Sequence, residues 1–466
     1  MMKVLENHAP NSAKLGRSRS RSIGGYFNRL PCEILHNIAL MLPFASIIQV
    51  KRSSKFWYNL VTDPKFVDLH LSHALAKPPG YLFTHAPVCY FVEQSRDHVS
   101  ISKMFEYSFD DFERKMGATF QSSGGLMCAY RNQPYCFRIF NPHIGEEVQV
   151  PCDPKFKRCR FRRFFFCYSP SIKKYKILKL GESKEKEQTG IFGEPATAEI
   201  CTLGSNIWRK IQNAPSWDIN GYIKCQGNPF WMKQSDLHYF DLVSEKFHAI
   251  PGPVLDRVHV THYMGAYANI MMTNRLISMG DKVGYVHNNR LWVLEDKRKG
   301  IWINRYDFSI PRLYRGSKLI GTSENGNLFG YNNYPNIFFS HDMGCTGFKV
   351  MENKLDECGS EDDDPLDEYV APHVRSLVSP VRIVKMGNKL INHKRKRVIE
   401  TLKMENKLIN HKRKRVIETL KLDYDATEDD LVNKMYEFLE AYEKHDKAKT
   451  HNEGIRYSNS RQFRKR

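Results

Sequence analysis

Two spacings of apolar residues divide the chain. Between residues 26 and 76, apolar side chains recur at intervals of three and four, the period of one helix face. Ile34, Leu35, Ile38 and Leu42 form the first such stripe. It follows Pro31, whose missing N–H suits the first turn of a helix, and Pro43 ends it. Ile47, Ile48 and Val50 open a second short element, and Lys55, Trp57, Leu60 and Val61 a third. Asp63-Pro64 marks a break, and Phe66, Leu69 and His70 close the unit. About fifty residues of short helices cannot bury all of these faces alone. Some of that surface is expected to meet a partner or the next domain.

From Tyr81 to about Val350 the helical period is lost. Short aromatic and β-branched runs alternate with Gly, Pro and Asn, as in YCFRIFNPHIGEEVQVP (135–151), RFFFCYSPSIKKYKILKL (163–180), AEICTLGSNIWRKI (198–211), LHYFDLVSEKFHAIPGP (237–253) and RLWVLED (290–296). Strands at this spacing predict an all-β barrel, sandwich or propeller. Several segments share one form: a strand, a turn with Asn, Asp or Ser, then a second strand. That recurrence favours a propeller-like, kelch-like array. APHVRSLVSPVRIV (371–384) reads as a last strand pair packing back on this domain. The fold class is therefore α+β multidomain: a small all-α unit (26–76), then an all-β domain (81–384).

The flanks are polar. Residues 1–25, with RSRSRS at 17–22, are too poor in apolar side chains to fold and read as a basic disordered arm. Residues 356–368, DECGSEDDDPLDE, form an acidic loop. Residues 385–402 and 403–420 are one eighteen-residue phrase written twice, differing only at Gly387 and Glu405. Eighteen residues at 3.6 per turn make five whole turns, so two helical copies present the same face. Lys394, Arg395, Lys412 and Arg413 interrupt the apolar stripe of Leu390, Ile391, Val398, Ile399 and their counterparts, which argues against a core helix. The tail is basic, helical or disordered. Within 421–466, a capping box at Thr427–Asp430 precedes Leu431, Met435, Phe438, Leu439 and Tyr442 and predicts an amphipathic helix over 428–443.

Charge sharpens this division. The net charge is +20, and residues 385–420 hold twelve Lys or Arg against three Glu, so nine of the twenty charges sit in the repeat. The clusters Lys394, Arg395, Lys396, Arg397 and Lys412, Arg413, Lys414, Arg415 read as nuclear-import signals or a solvated face, ahead of direct nucleic-acid contact. The 11 cysteines are scattered with no CxxC pair, which argues against a disulfide framework or a zinc site and for a reducing compartment. The longest apolar run, 38–48, is too short to span a bilayer, and no secretory signal is read at the N-terminus. No phosphate loop, HExxH, GxSxG or dinucleotide fingerprint occurs, so no catalytic residue, metal or cofactor is assigned.

Residues 27–73 resemble an F-box closely. The family's opening Leu-Pro is matched by Leu30-Pro31, and Glu33-Ile34-Leu35 and Leu42-Pro43 continue the pattern. Its Arg-Cys-Val-Ser-Lys-x-Trp signature is matched by Lys51-Arg-Ser-Ser-Lys-Phe-Trp57, with Ser53 where Val is usual, and Pro64-x-Phe66 and Leu69-His70 close it. The β region resembles the F-box-associated domain of plant F-box proteins. GGLMCAY (124–130), FNPHIGEEVQVP (140–151), YSPSIKKYKILKL (168–180), CTLGSNIWRKI (201–211) and FDLVSEKFHAI (240–250) match its recurrent stretches, with Ser169 in place of Asp and Ile177 in place of Val.

The resemblance implies a non-catalytic substrate-recognition subunit of a Skp–cullin–F-box ubiquitin ligase, in nucleus and/or cytoplasm. Leu30, Pro31, Ile34, Leu35, Ile38, Leu42 and Pro43 would dock a Skp-type adaptor and through it a cullin, with Val50 and Trp57 partly core. The β domain would read a protein target of unknown identity. The alternative is a nuclear nucleic-acid-binding or scaffold protein using the basic repeats.

Overall fold

The computed structural model describes residues 30–85, 88–94, 99–106, 120–132, 135–152, 159–183, 197–205, 207–214, 222–233, 235–254, 275–287, 290–307, 318–322, 326–332, 337–341, 348–351 and 370–405. The arm 1–25, the acidic loop 356–368, the repeat beyond Glu405 and the predicted helix 428–443 lie outside the described residues.

Four helices come first: α1 (Cys32–Met41), α2 (Phe44–Ser53), α3 (Lys55–Thr62) and α4 (Pro64–Leu75). Each start has a local cause. Pro31 and Pro43 stand at the N-caps of α1 and α2. The Ser54 hydroxyl accepts the Trp57 N–H at 3.3 Å, and Asp63 Oδ1 accepts the Lys65 N–H at 2.8 Å, supplying partners for first-turn donors the helix leaves unpaired. Leu35, Ala39, Ile47, Leu60, Val61 and Phe66 make a common core.

The strands then form six four-stranded antiparallel sheets, the blades of a β-propeller. Blade 1 holds β1 (Gly80–His85), β2 (Val88–Gln94) and β3 (Val99–Glu106). Blade 2 holds β4 (Gln121–Ser123), β5 (Leu126–Asn132), β6 (Tyr135–Asn141) and β7 (Glu146–Pro151). Blade 3 holds β8 (Cys159–Ser169), β9 (Lys174–Ser183), β10 (Thr197–Thr202) and β11 (Trp208–Ile211). Blade 4 holds β12 (Ile223–Cys225), β13 (Asn228–Lys233), β14 (Asp236–Asp241) and β15 (Lys246–Ile250). Blade 5 holds β16 (Arg275–Met279), β17 (Lys282–His287), β18 (Arg290–Asp296) and β19 (Ile301–Asp307). Blade 6 holds β20 (Lys318–Thr322), β21 (Leu328–Asn332), β22 (Ile337–His341) and β23 (Phe348–Met351). The ring closes when β24 (Val370–His373) pairs antiparallel with β1, Gly80 opposite His373 and Phe83 opposite Val370. Blade 1 thus takes its innermost strand from the far end of the chain, which leaves no free inner edge there.

A blade is covered on both faces, and this explains the near-continuous apolar strands. Tyr81 and Phe83 pack toward Phe329, Tyr331 and Phe338 of blade 6, while Leu82 between them packs toward Met127 and Phe140 of blade 2. Ile277 likewise joins the core shared with blade 6, and its neighbour Leu276 the core shared with blade 4. Alternation persists, but both directions are apolar.

The recurrent turn has one design. Asn141, Asp241 and Asp296 each accept the N–H two residues on, from His143, Val243 and Arg298, at 3.0, 2.9 and 2.8 Å. Four residues after each, the backbone turns left-handed, at Gly145 (φ 69°), Glu245 (φ 54°) and Gly300 (φ 66°). Glycine meets that demand without a Cβ penalty. At Glu245 the side chain has its own use: it accepts Lys176 Nζ at 2.6 Å and both Arg209 terminal nitrogens at 2.9 Å, clasping blade 3 to blade 4. Burial acts to raise the Glu245 carboxyl, but these hydrogen bonds overcome it and hold the group below its ordinary range. Trp208 and Trp302 repeat a second device. Each indole N–H donates at 2.8 Å to a carbonyl ending the preceding blade, Pro151 and Pro251.

The C-terminal part departs from expectation. Within 371–384 there is one strand rather than a pair; β24 ends at His373 and helix α5 (Pro380–Glu405) begins. The first repeat copy lies wholly inside α5, although its broken stripe argued against a core helix. Ile391 is buried while Leu390 stays exposed, so the face that packs is narrow. Gly387 makes the difference. Its Cα meets Gly204, and a Cβ there would fall 2.4 Å from the Gly204 carbonyl oxygen. From Arg382 on, α5 groups with the Cys201–Ile207 stretch as a second compact unit, and α1–α4 with the rest of the propeller as the first.

Candidate functional site

Helix α1 carries two apolar stripes. At 3.6 residues per turn, Leu35 and Ala39 fall on one side and Ile34, Ile38 and Met41 on another. The first stripe is core: Leu35 is 4% exposed. The second faces outward, with Ile34 46% and Met41 86% exposed and Ile38 half-buried. Leu30 and Pro31, just before the helix, are exposed beside it, as is Pro43 just after. Tyr58 on α3 and Leu69 on α4 are exposed too. Leu42 and Trp57 are partly buried and pack on the helical core, and Val50 is half-buried.

The structure therefore separates the residues grouped by sequence. Leu30, Pro31, Ile34 and Pro43 reach the surface, Ile38, Leu42, Val50 and Trp57 do so in part, and Leu35 lies inside. Sequence reasoning passed over Met41, the most exposed large apolar side chain of α1–α4. Its signal was present: it stands seven after Ile34, two turns along the same face. Of the basic clusters, Lys394 and Lys396 are set on α5, half-buried and exposed, whereas Lys412, Arg413, Lys414 and Arg415 lie outside the described residues.

Exposed apolar surface on a small helical unit needs a rigid base, and the propeller supplies one. Leu377, between β24 and α5, inserts into the helical core beside Leu35 and Ile47, and Ile144 of the blade 2 turn packs on the same cluster. Asn141 holds that insertion in place. Its amide donates at 2.9 Å to the carbonyls of both Ser376 and Val378. Phe44 of α2 meets the His143 ring edge-on, centroids 5.0 Å apart. His143 and His373 face each other at 3.2 Å through their Nε2 atoms, and His373 Nδ1 lies 2.7 Å from the Ser122 hydroxyl. Burial, then the Arg375 charge, lowers His373 to about 3, so the pair is neutral at physiological pH. His70 on α4 is lowered to about 4 by burial and by the charges of His73 and Lys77.

Two family models match the chain. The F-box domain matches residues 27–69, and the F-box associated beta propeller domain matches residues 83–350, more than half of the chain. Among curated relatives, the F-box protein At1g47340 of Arabidopsis thaliana is 26% identical over 357 residues, spanning 66% of this chain and 72% of its own length. The F-box protein At3g08750 of the same plant is 25% identical over 231 residues, spanning 47% of this chain and 59% of its own.

Proposed function

This chain belongs to the plant F-box proteins that carry an F-box-associated β-propeller, and from that membership we propose that it is the substrate-recognition subunit of a Skp–cullin–F-box ubiquitin ligase. The observation that carries the proposal is the outward stripe of Ile34, Ile38 and Met41, with Leu30 exposed just before it, on a helix whose other stripe is already used by its own core. A face of this kind seats in a hydrophobic groove, as an amphipathic helix does. Fully covering Met41 is worth roughly 1.5–3 kcal/mol, and covering Ile34, already about half covered, roughly half of that.

The chain performs no bond chemistry in this reading. The Skp-type adaptor holds α1, and the propeller holds the protein target. The two sites are tied through Leu377, Ile144 and Asn141, so the target is presented at a fixed offset from the adaptor. Ubiquitin transfer is then favoured by effective concentration.

The test is binding of the full chain to a purified Skp-type adaptor, wild type against Ile34→Asp/Met41→Asp. Both side chains are exposed, so the variant is expected to melt like wild type while losing at least about tenfold in affinity. An adaptor that binds both proteins equally well would remove the stripe from the interface and the reading with it.

A further inference from the structure

The six inner strands of the propeller, with the Leu75–Pro79 linker at one side, enclose a cavity of about 1060 Å³. Its lining is mixed. Tyr81, Tyr168, Tyr222 and Tyr285 contribute aromatic surface, and Leu276 and Met232 aliphatic surface. Into this space β12 places Lys224. The ammonium donates to the Ser122 carbonyl at 2.9 Å, from blade 4 to blade 2.

That one bond leaves two N–H groups of Lys224 without a protein acceptor among the described residues. Nor does a carboxylate pair with it there. Asp281, on the exposed turn between β16 and β17, borders the cavity but forms no ion pair with Lys224. The thiols near enough to act on it, Cys128 and Cys167, are themselves raised by burial, Cys167 to about 11, and carry no charge at neutral pH. Burial lowers Lys224 to about 8, which leaves it mainly cationic at pH 7. Lys224 is half-buried at the cavity wall, and a partly desolvated cation with no counter-charge is stabilised when something negative meets it. Structural lysines in this same propeller are treated differently: Lys176 and Lys179 each face a glutamate, at 2.6 and 2.7 Å. The cavity size suits one small organic ligand held by apolar walls and a single directing charge.

We propose that the propeller hub binds a small aromatic carboxylate, its charged end on the Lys224 ammonium and its ring among the hub tyrosines. The inference concerns the propeller alone and stands whether or not α1 docks an adaptor.

The probe is anthranilate, followed by its own fluorescence on titration with the full chain, against neutral anthranilamide of the same shape. The expected result is saturable binding of one equivalent of anthranilate, with anthranilamide at least about tenfold weaker. Lys224→Met is expected to weaken anthranilate by a similar factor, and Lys224→Arg to keep most of the binding, both checked for folding by thermal melting. If Lys224→Met does not fold, the comparison of acid with amide on the wild-type protein still decides. Equal binding of acid and amide, a folded Lys224→Met that binds as wild type, or no saturable binding at millimolar anthranilate would each overturn the proposal. Phenyl phosphate competing more strongly than benzoate would overturn the carboxylate assignment in favour of a phosphate ester.

Discussion

Gly387→Ala sets two effects of opposite sign against each other. In an exposed helix interior the substitution stabilises by about 0.8–1.0 kcal/mol, because glycine loses more backbone freedom on folding. At Gly387 the new methyl group would stand 2.4 Å from the carbonyl oxygen of Gly204, 2.7 Å from its carbonyl carbon and 2.8 Å from its Cα. All three are backbone atoms, so no side chain can rotate away. Gly204 has φ +99° and is itself tight, since a Cβ there would lie 3.1 Å from the Ile383 carbonyl oxygen. Overpacking of this kind costs about 1–3 kcal/mol. The net expectation is a loss of up to about 2 kcal/mol, or release of α5 from the turn. The readout is amide hydrogen exchange along α5 together with the thermal midpoint of the full chain. Faster exchange at residues 381–392 with a lowered midpoint is expected. A variant that gains about 1 kcal/mol and keeps wild-type protection would refute the helix-on-turn packing, because propensity alone would then be acting. The same geometry gives meaning to the one difference between the repeat copies. The first copy has glycine where the turn demands it, and the second has Glu405 at that place.

Leu377→Ala removes the propeller's contribution to the helical core and is expected to cost about 2–5 kcal/mol, seen as faster exchange in α1–α4 rather than in the blades. Unchanged protection of those helices would show that Leu377 is dispensable. His70 and His373 have folded pKa values below the unfolded value near 6.5, so they bind protons only when the chain unfolds. Stability is therefore complete above pH 6.5 and falls as pH drops toward 4 for His70 and 3 for His373, by about 1.4 kcal/mol per pH unit for each. Denaturation at pH 7 and pH 5 measures this, and His70→Asn should flatten the slope. Replacing Lys394, Arg395, Lys396 and Arg397 together with Lys412, Arg413, Lys414 and Arg415 by alanine should lower the nuclear-to-cytoplasmic ratio of the tagged chain in cells, and an unaltered ratio would end the import reading.

Some of this was legible because its cause is local. Pro31, Pro43 and Asp63-Pro64 mark helix starts through bonds spanning at most four residues, so they can be read in place. The turn from Asn141 to Gly145 closes on itself, and its recurrence at Asp241 and Asp296 announced a repeated hairpin. The two stripes of α1 were present in the order of its residues. Which stripe is core was not, because that depends on where α3 and α4 lie. Spacing alone therefore places Leu35 with the adaptor-docking residues and leaves Met41 out.

The sequence by itself determined the helical and β halves, the hairpin unit and the basic tail, since each follows from period, turn chemistry or charge within a short window. Tertiary structure alone decided the number of blades, the return of β24 to β1, and the insertion of Leu377 into a core begun about 340 residues earlier. It also decided that Gly387 meets Gly204 and that Lys224 reaches the hub with no carboxylate paired to it among the described residues. These contacts join residues far apart in the chain, and no local spacing encodes which distant surface will stand opposite. The bonds that orient the site, from Asn141 to Ser376 and Val378, are of this kind, because a ring can be closed only by its two ends.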